Sequence, residues 1–187
     1  MEYSGVVLMD HDKEKKASDF RTSQTTFLGP IDDTFVDIDY RTASLVRIPR
    51  NHQEHVQVLR YGHTQYYQAH HDFFTPSFYQ KDPATLRLIK NGLRNRLATV
   101  FWYLSDVEAG GETVFPRFNR GQEKSFDDCE TGLLVRPEKG KVIIFYSMTP
   151  DGGTDEYSLH GACPVKDGIK WAANKWVWNE KMLYTPA

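Results

Sequence analysis

The chain of 187 residues holds two cysteines, Cys129 and Cys163. Two are too few for a disulfide scaffold, and they leave two readings, one bridge or a pair of free thiols. No apolar run approaches the roughly 20 residues that span a bilayer. The opening stretch "MEYSGVVLMDHDKEKK" lacks the positive start and apolar middle of a signal peptide, so the chain reads as soluble, with any leader already trimmed. Formal net charge is −2, which leaves no electrostatic footprint for a nucleic-acid partner. Internal repeats and low-complexity tracts are missing as well.

What the chain does have is 40% hydrophobic and 26% charged residues, enough for one globular domain with a real core. Aromatics make up 13%, mostly Tyr and Phe, and favour strands over a helical bundle. Residues 11–26 and 117–130 are polar and read as loops. "DDTFVDIDYRTASLV" predicts a short helix at about 33–48. "HVQVLRYGHTQYYQAHHDFF" (55–74) is β-rich and breaks at Gly62, giving two strands or one bent one. "DPATLRLIKNGLRNR" is a loop or a helical turn. Strands are expected at 97–107, after the turn in 109–116, on either side of "PEKG" in 132–148, and in "SLHGACPV" and "KWAANKWVW". Six to eight short strands between Gly, Pro and Asp turns point to a mainly β sandwich or jelly-roll barrel with a few supporting helices.

The densest chemistry lies in "YYQAHHDFF" (66–74). On a strand, His70 and Asp72 share a face and His71 points away. An imidazole and a carboxylate are two thirds of a 2-His-1-carboxylate iron site. Of the seven histidines, only His160 follows this cluster, in a β-like segment far along the chain. A lone HxD pair is weak evidence, since most such pairs are hydrogen-bonded structure. Lys170, inside the apolar run "IKWAANKW", adds to it. Either its amine reaches solvent along the surface, or it is buried and needs an anion such as the far carboxylate of a dicarboxylate cosubstrate.

With these residues in hand the chain resembles the prolyl 4-hydroxylases of plant and algal type, which are Fe(II)- and 2-oxoglutarate-dependent dioxygenases. "RTS" (21–23), "EHVQVLRY" (54–61), "HHDFF" (70–74), "RLAT" (96–99), "YLSDVEAGGETVFP" (103–116), "GLLVRPEKGKVIIFYS" (132–147), "SLHGACPV" (158–165) and "GIKWAANKW" (168–176) are similar to family motifs and stand in family order. The resemblance implies a double-stranded β-helix. It implies that His70, Asp72 and His160 hold Fe(II), that Lys170 holds the C5 carboxylate of 2-oxoglutarate, and that Tyr61 and Thr113 hold the same molecule through their hydroxyls. O2 is the co-reactant and ascorbate an expected helper. Tyr67, Arg96 and Trp176, and more loosely Arg21, Ser23 and Glu54, match positions that line a groove for a proline-rich or collagen-like peptide. A regular strand would turn Tyr67, three residues before His70, to the other face, so its role requires a bend. Tyr66, Phe73, Phe74, Trp102 and Phe145 are expected to pack.

Cys129 and Cys163 look like a cysteine pair of the plant-type enzymes. A bridge implies an oxidising compartment, the endoplasmic reticulum or secretory pathway, and free thiols imply the cytoplasm. The chain departs from the family in three places. It starts almost at the match to "SGVV", so part of the family's N-terminal support is expected to be missing. Trp178 stands where relatives often have histidine, and 75–95 follows no family pattern. Two other readings remain, a related dioxygenase acting on another side chain or a small molecule, and a barrel that binds metal or peptide without turnover.

Overall fold

The computed structural model describes residues 1–4, 20–29, 32–120 and 129–182, and the parts of the expected polar loops at 11–19 and 121–128 lie outside them. Within this range twelve strands form. In chain order they are β1 (Glu2–Tyr3), β2 (Gln24–Leu28), β3 (Val56–Tyr61), β4 (Tyr67–His70), β5 (Arg96–Tyr103), β6 (Ala109–Gly110), β7 (Thr113–Phe115), β8 (Leu133–Val135), β9 (Val142–Tyr146), β10 (His160–Ala162), β11 (Val165–Asp167) and β12 (Lys170–Trp178). The count exceeds the six to eight expected because several are two- or three-residue pieces with no periodicity to read. β2 corrects the expectation of loop through residue 26. Its "QTTFL" is β-branched and pairs with β3 along its whole length.

One sheet runs β1-β2-β3-β12-β5-β9, a second β4-β10-β7-β8, and β11 pairs with β6. The break at Gly62 is where the chain leaves the first sheet (β3) and enters the second (β4). Leu59, Tyr61, Val107, Val165 and Ala172 form a core cluster, against which Tyr67 and Ala162 of the second sheet pack. The result is an antiparallel jelly-roll barrel, the double-stranded β-helix of the sequence reading.

Two helices accompany it. α1 (Asp33–Val46) starts on the Asp32 side chain, which accepts from the Thr34 and Phe35 amides, and stops at Arg47 in a left-handed conformation. α2 (Pro83–Leu88) lies in the segment read as loop or helical turn and is capped likewise by Asp82. No described helix is long and apolar enough to cross a membrane.

β12 is the central strand and is buried on both faces. Its two lysines are five residues apart and therefore face opposite ways. Lys175 points out to α1, where its Nζ lies 2.5 Å from Asp39 Oδ1. Lys170 points into the barrel.

Candidate active site

β4 and β10 run antiparallel with His70 opposite His160. Two residues later Ala162 is opposite Tyr67, so three steps on β4 match two on β10. That bulge absorbs one residue and puts Tyr67 on the face of His70, where a regular strand would separate them. Their rings stack at 3.7 Å. The bend that the groove role of Tyr67 required is this bulge.

Asp72 completes a cluster whose ligand atoms, one each from His70, Asp72 and His160, lie within 4.8 Å of one another. Each histidine Nε2 is 3.8 Å from an Asp72 oxygen, His70 facing Oδ1 and His160 facing Oδ2. Strand alternation predicts that Asp72 shares a face with His70, but β4 ends at His70 and Asp72 sits in the bend beyond it. Its aim comes from Thr99 on β5, whose hydroxyl donates to Oδ2 at 2.6 Å. His71 lies outside the cluster, as expected, with Nδ1 3.4 Å from Ser158 Oγ.

Both ligand histidines are held alike. His70 Nδ1 lies 2.8 Å from the Gln68 carbonyl and His160 Nδ1 2.9 Å from that of Ser158. A carbonyl only accepts, so each Nδ1 carries the hydrogen and each Nε2 turns its lone pair toward Asp72. Burial holds His70 below the ordinary imidazole range, and the His160 ring adds to this. Burial alone would raise the Asp72 carboxyl, but His160, His70, Arg96 and the Thr99 hydroxyl outweigh it and keep the group ionised. Two imidazoles and one carboxylate form the donor set that suits a divalent iron with open positions.

Lys170 is fully buried. Its Nζ donates to the Gly111 carbonyl at 2.6 Å and lies 5.3 to 5.6 Å from the ring centroids of Tyr61, Phe101 and Tyr103. Gly111 reaches it from a turn with φ of 71°, a conformation glycine adopts freely. Among the described residues no carboxylate pairs with Lys170. Burial drags its pKa down to about 7, and Glu112 only partly offsets this through space. Thr113 is close by and accepts from the Tyr103 hydroxyl at 2.7 Å. Tyr103 and Thr99 were missed at the sequence level. Both follow from period-two alternation along β5, which puts 99, 101 and 103 on one face.

The groove candidates form two groups. Arg96 forks onto Glu54, with Nε to Oε1 at 2.6 Å and Nη2 to Oε2 at 2.9 Å. Its guanidinium lies 3.4 Å from the Trp176 ring centre and 4.8 Å from that of Phe74. Trp178 donates its indole N–H to Glu54 Oε1 at 2.7 Å and stacks on Phe74, so this residue braces the group from the core. In the second group Arg21 covers Tyr67 at 4.4 Å and donates to the Ser23 hydroxyl at 2.9 Å. Cys129 and Cys163 are joined in a disulfide that ties the segment before β8 to the residue following β10.

Comparison with known proteins agrees with this geometry. A probable prolyl 4-hydroxylase 4 of Arabidopsis thaliana is 38% identical over 173 residues, 88% of this chain and 55% of its own length. Prolyl 4-hydroxylase 2 of the same plant is 38% identical over 173 residues, 88% of this chain and 54% of its own length. The chain thus spans about half the length of these relatives. A viral collagen prolyl hydroxylase from Paramecium bursaria Chlorella virus-1, solved with 2OG, superposes with a TM-score of 0.64 at 26% identity, over 95% of this chain and 94% of that one. The family model of the 2OG-Fe(II) oxygenase superfamily matches residues 56–178, a stretch that includes His70, Asp72, His160 and Lys170. The chain belongs to the 2OG-Fe(II) oxygenase superfamily.

Proposed function

We propose that this chain hydroxylates peptidyl proline at C4, using Fe(II), O2 and 2-oxoglutarate, which leaves as succinate and CO2. One observation carries the reading above the rest. Two histidines of one sheet and an aspartate in the bend beyond it form a three-ligand cluster, and the other sheet carries a buried lysine that pairs with no acid among the described residues. Iron at His70, Asp72 and His160 supplies the oxidising chemistry when bound. The protein's own groups do the holding. Lys170 takes the C5 carboxylate by a charge-assisted bond. Tyr61 and Thr113 add hydroxyl contacts, and the rings of Tyr61, Phe101 and Tyr103 keep water from the aliphatic middle. Tyr67, stacked between His70 and Arg21, sets its ring edge and hydroxyl beside the metal site, and burial raises its phenol to about 12, so it stays neutral. Arg96, which stacks on Trp176 and forks onto Glu54, and Ser23, which accepts from Arg21, are the further residues assigned to the peptide in this reading.

Aromatic side chains beside a metal site suit an extended proline-rich or collagen-like peptide, and the names of the relatives support the same class. The disulfide supports folding in the endoplasmic reticulum or secretory pathway. Ascorbate is the expected reductant for idle turnovers.

The test is incubation with proline-rich, collagen-like and proline-free peptides, read by mass spectrometry with succinate measured in parallel. One added oxygen on proline, dependent on Fe(II) and 2-oxoglutarate and lost in His70→Ala and Asp72→Ala, is expected. Succinate formation with oxygen landing only on another residue would transfer the enzyme to a different substrate class. Metal binding with no 2-oxoglutarate consumption would make it a binding barrel.

A further inference from the structure

The three ligand side chains are not secured in the same way. His70 and His160 are each fixed by a backbone carbonyl, of Gln68 and Ser158. No substitution at those acceptors removes the bond, because the carbonyl belongs to the main chain. Asp72 lies past the end of β4, in a bend, where sheet pairing does not set its direction. Among the described residues its one hydrogen-bond donor is a side chain, the Thr99 hydroxyl at 2.6 Å.

Thr99 is well placed for this. It sits mid-strand on β5, between Phe145 of β9 and Trp176 of β12, and is 1% exposed. As a β-branched residue in a strand it has little freedom at χ1. The hydroxyl is therefore a stiff anchor on the first sheet that reaches across to a carboxylate carried by the second. Held at Oδ2, the carboxylate cannot rotate about its Cβ–Cγ bond without breaking that contact. One oxygen stays turned to each imidazole, 3.8 Å from either Nε2.

We infer that Thr99 is the positioning residue of the metal site, fixing the rotamer of Asp72 so that the carboxylate arrives pre-aimed. The inference rests on the reading of His70, Asp72 and His160 as metal ligands. Thr99 touches neither metal nor substrate, and its effect passes through Asp72. Partners of this kind behind a ligand typically set metal affinity by 10- to 100-fold.

The experiment compares wild type, Thr99→Val and Thr99→Ser, each stripped of metal and titrated with Mn(II) by calorimetry, without 2-oxoglutarate or peptide. Visible absorption after Co(II) loading reports the ligand geometry. Valine keeps the shape and loses the donor, and serine keeps the donor and loses the methyl. Mn(II) affinity is expected to fall about 10- to 100-fold in Thr99→Val, with a changed Co(II) spectrum, and to return to within a few-fold of wild type in Thr99→Ser. Equal affinity in wild type and Thr99→Val overturns the inference, as does a serine variant as weak as the valine one, which would make the role one of packing. If Thr99→Val does not fold, Thr99→Cys replaces it, since the thiol is a weaker donor and should give an affinity below that of serine; an affinity equal to serine overturns the inference. A wild-type protein that binds no Mn(II) or Co(II) removes the metal-site reading itself, a failure distinguishable from that of Thr99.

Discussion

Lys170 sits in the barrel wall as a cation that has lost water and gained one carbonyl. Its folded pKa of about 7 lies below the ordinary lysine value, so between about 7 and 10.5 the unfolded chain binds a proton that the folded one does not. Stability of the cosubstrate-free protein therefore rises with pH across that window, and the cost of the buried charge is fully present below 7. A dicarboxylate prefers the charged lysine. The thermal stabilisation produced by 2-oxoglutarate is accordingly expected to be largest near pH 6.5 and to shrink toward pH 9, measured by melting temperature with and without ligand. Lys170→Met should raise the ligand-free melting temperature at pH 6.5 and abolish the ligand response. Tyr103→Phe removes one neutral hydrogen bond to Thr113, about 1 kcal/mol, so a roughly five-fold rise in the KM for 2-oxoglutarate is expected at little change in kcat. At this scale legibility followed rarity. His160 and Lys170 stood out because the chain offers few late histidines and few lysines in apolar runs. Thr99 and Tyr103 did not, because in sequence they are ordinary strand residues whose hydroxyls find partners only through the fold.

The elements contribute what residue chemistry alone does not. β10 and β4 approach closely because residue 161 is glycine. A Cβ there would meet the Tyr67 carbonyl oxygen at 3.0 Å and the Ala69 amide nitrogen at 3.1 Å, both main-chain atoms. Gly161→Ala is therefore expected to push the two strands apart and weaken Mn(II) binding as well as stability, measured by titration and melting. The helix α1 is fastened to the sheet by Asp39, which meets Lys175 at 2.5 Å and Arg50 at 3.5 Å with its side chain only 4% exposed. Removing one partner of a buried pair is the costly change. Asp39→Ala should lose about 3–5 kcal/mol in urea unfolding, while the double variant Asp39→Leu with Lys175→Met should recover most of it. The helix was readable from "DDTFVDIDYRTASLV", but its docking partner was not, because Lys175 lies over a hundred residues further on. The bulge was equally hidden. Sequence spacing placed Tyr67 on the wrong face, and only the unequal count of residues on β4 and β10 corrects it.

For the whole molecule, the barrel followed from alternating strands and turn residues, while the extra short strands had too few residues to show a period. The Cys129–Cys163 bridge closes a loop spanning 34 positions. On the chain-entropy account such a loop contributes about 4 kcal/mol. Cys129→Ser with Cys163→Ser is expected to unfold at correspondingly lower urea concentration, and reductant should lower wild type to the same midpoint while leaving the variant unchanged. A further consequence follows from the opposed lysines of β12. A one-residue slip of this central strand would exchange its faces, sending the amine of Lys175 into the barrel without an acid and leaving Asp39 buried opposite an uncharged side chain. The Lys175–Asp39 pair would be broken and Asp39 would keep Arg50 alone, 3.5 Å away, so the buried ion pair selects the native register. The apolar double variant removes this proofreading. It can match wild type in melting temperature and still refold in lower yield, with the difference growing at higher protein concentration, where misaligned chains find one another.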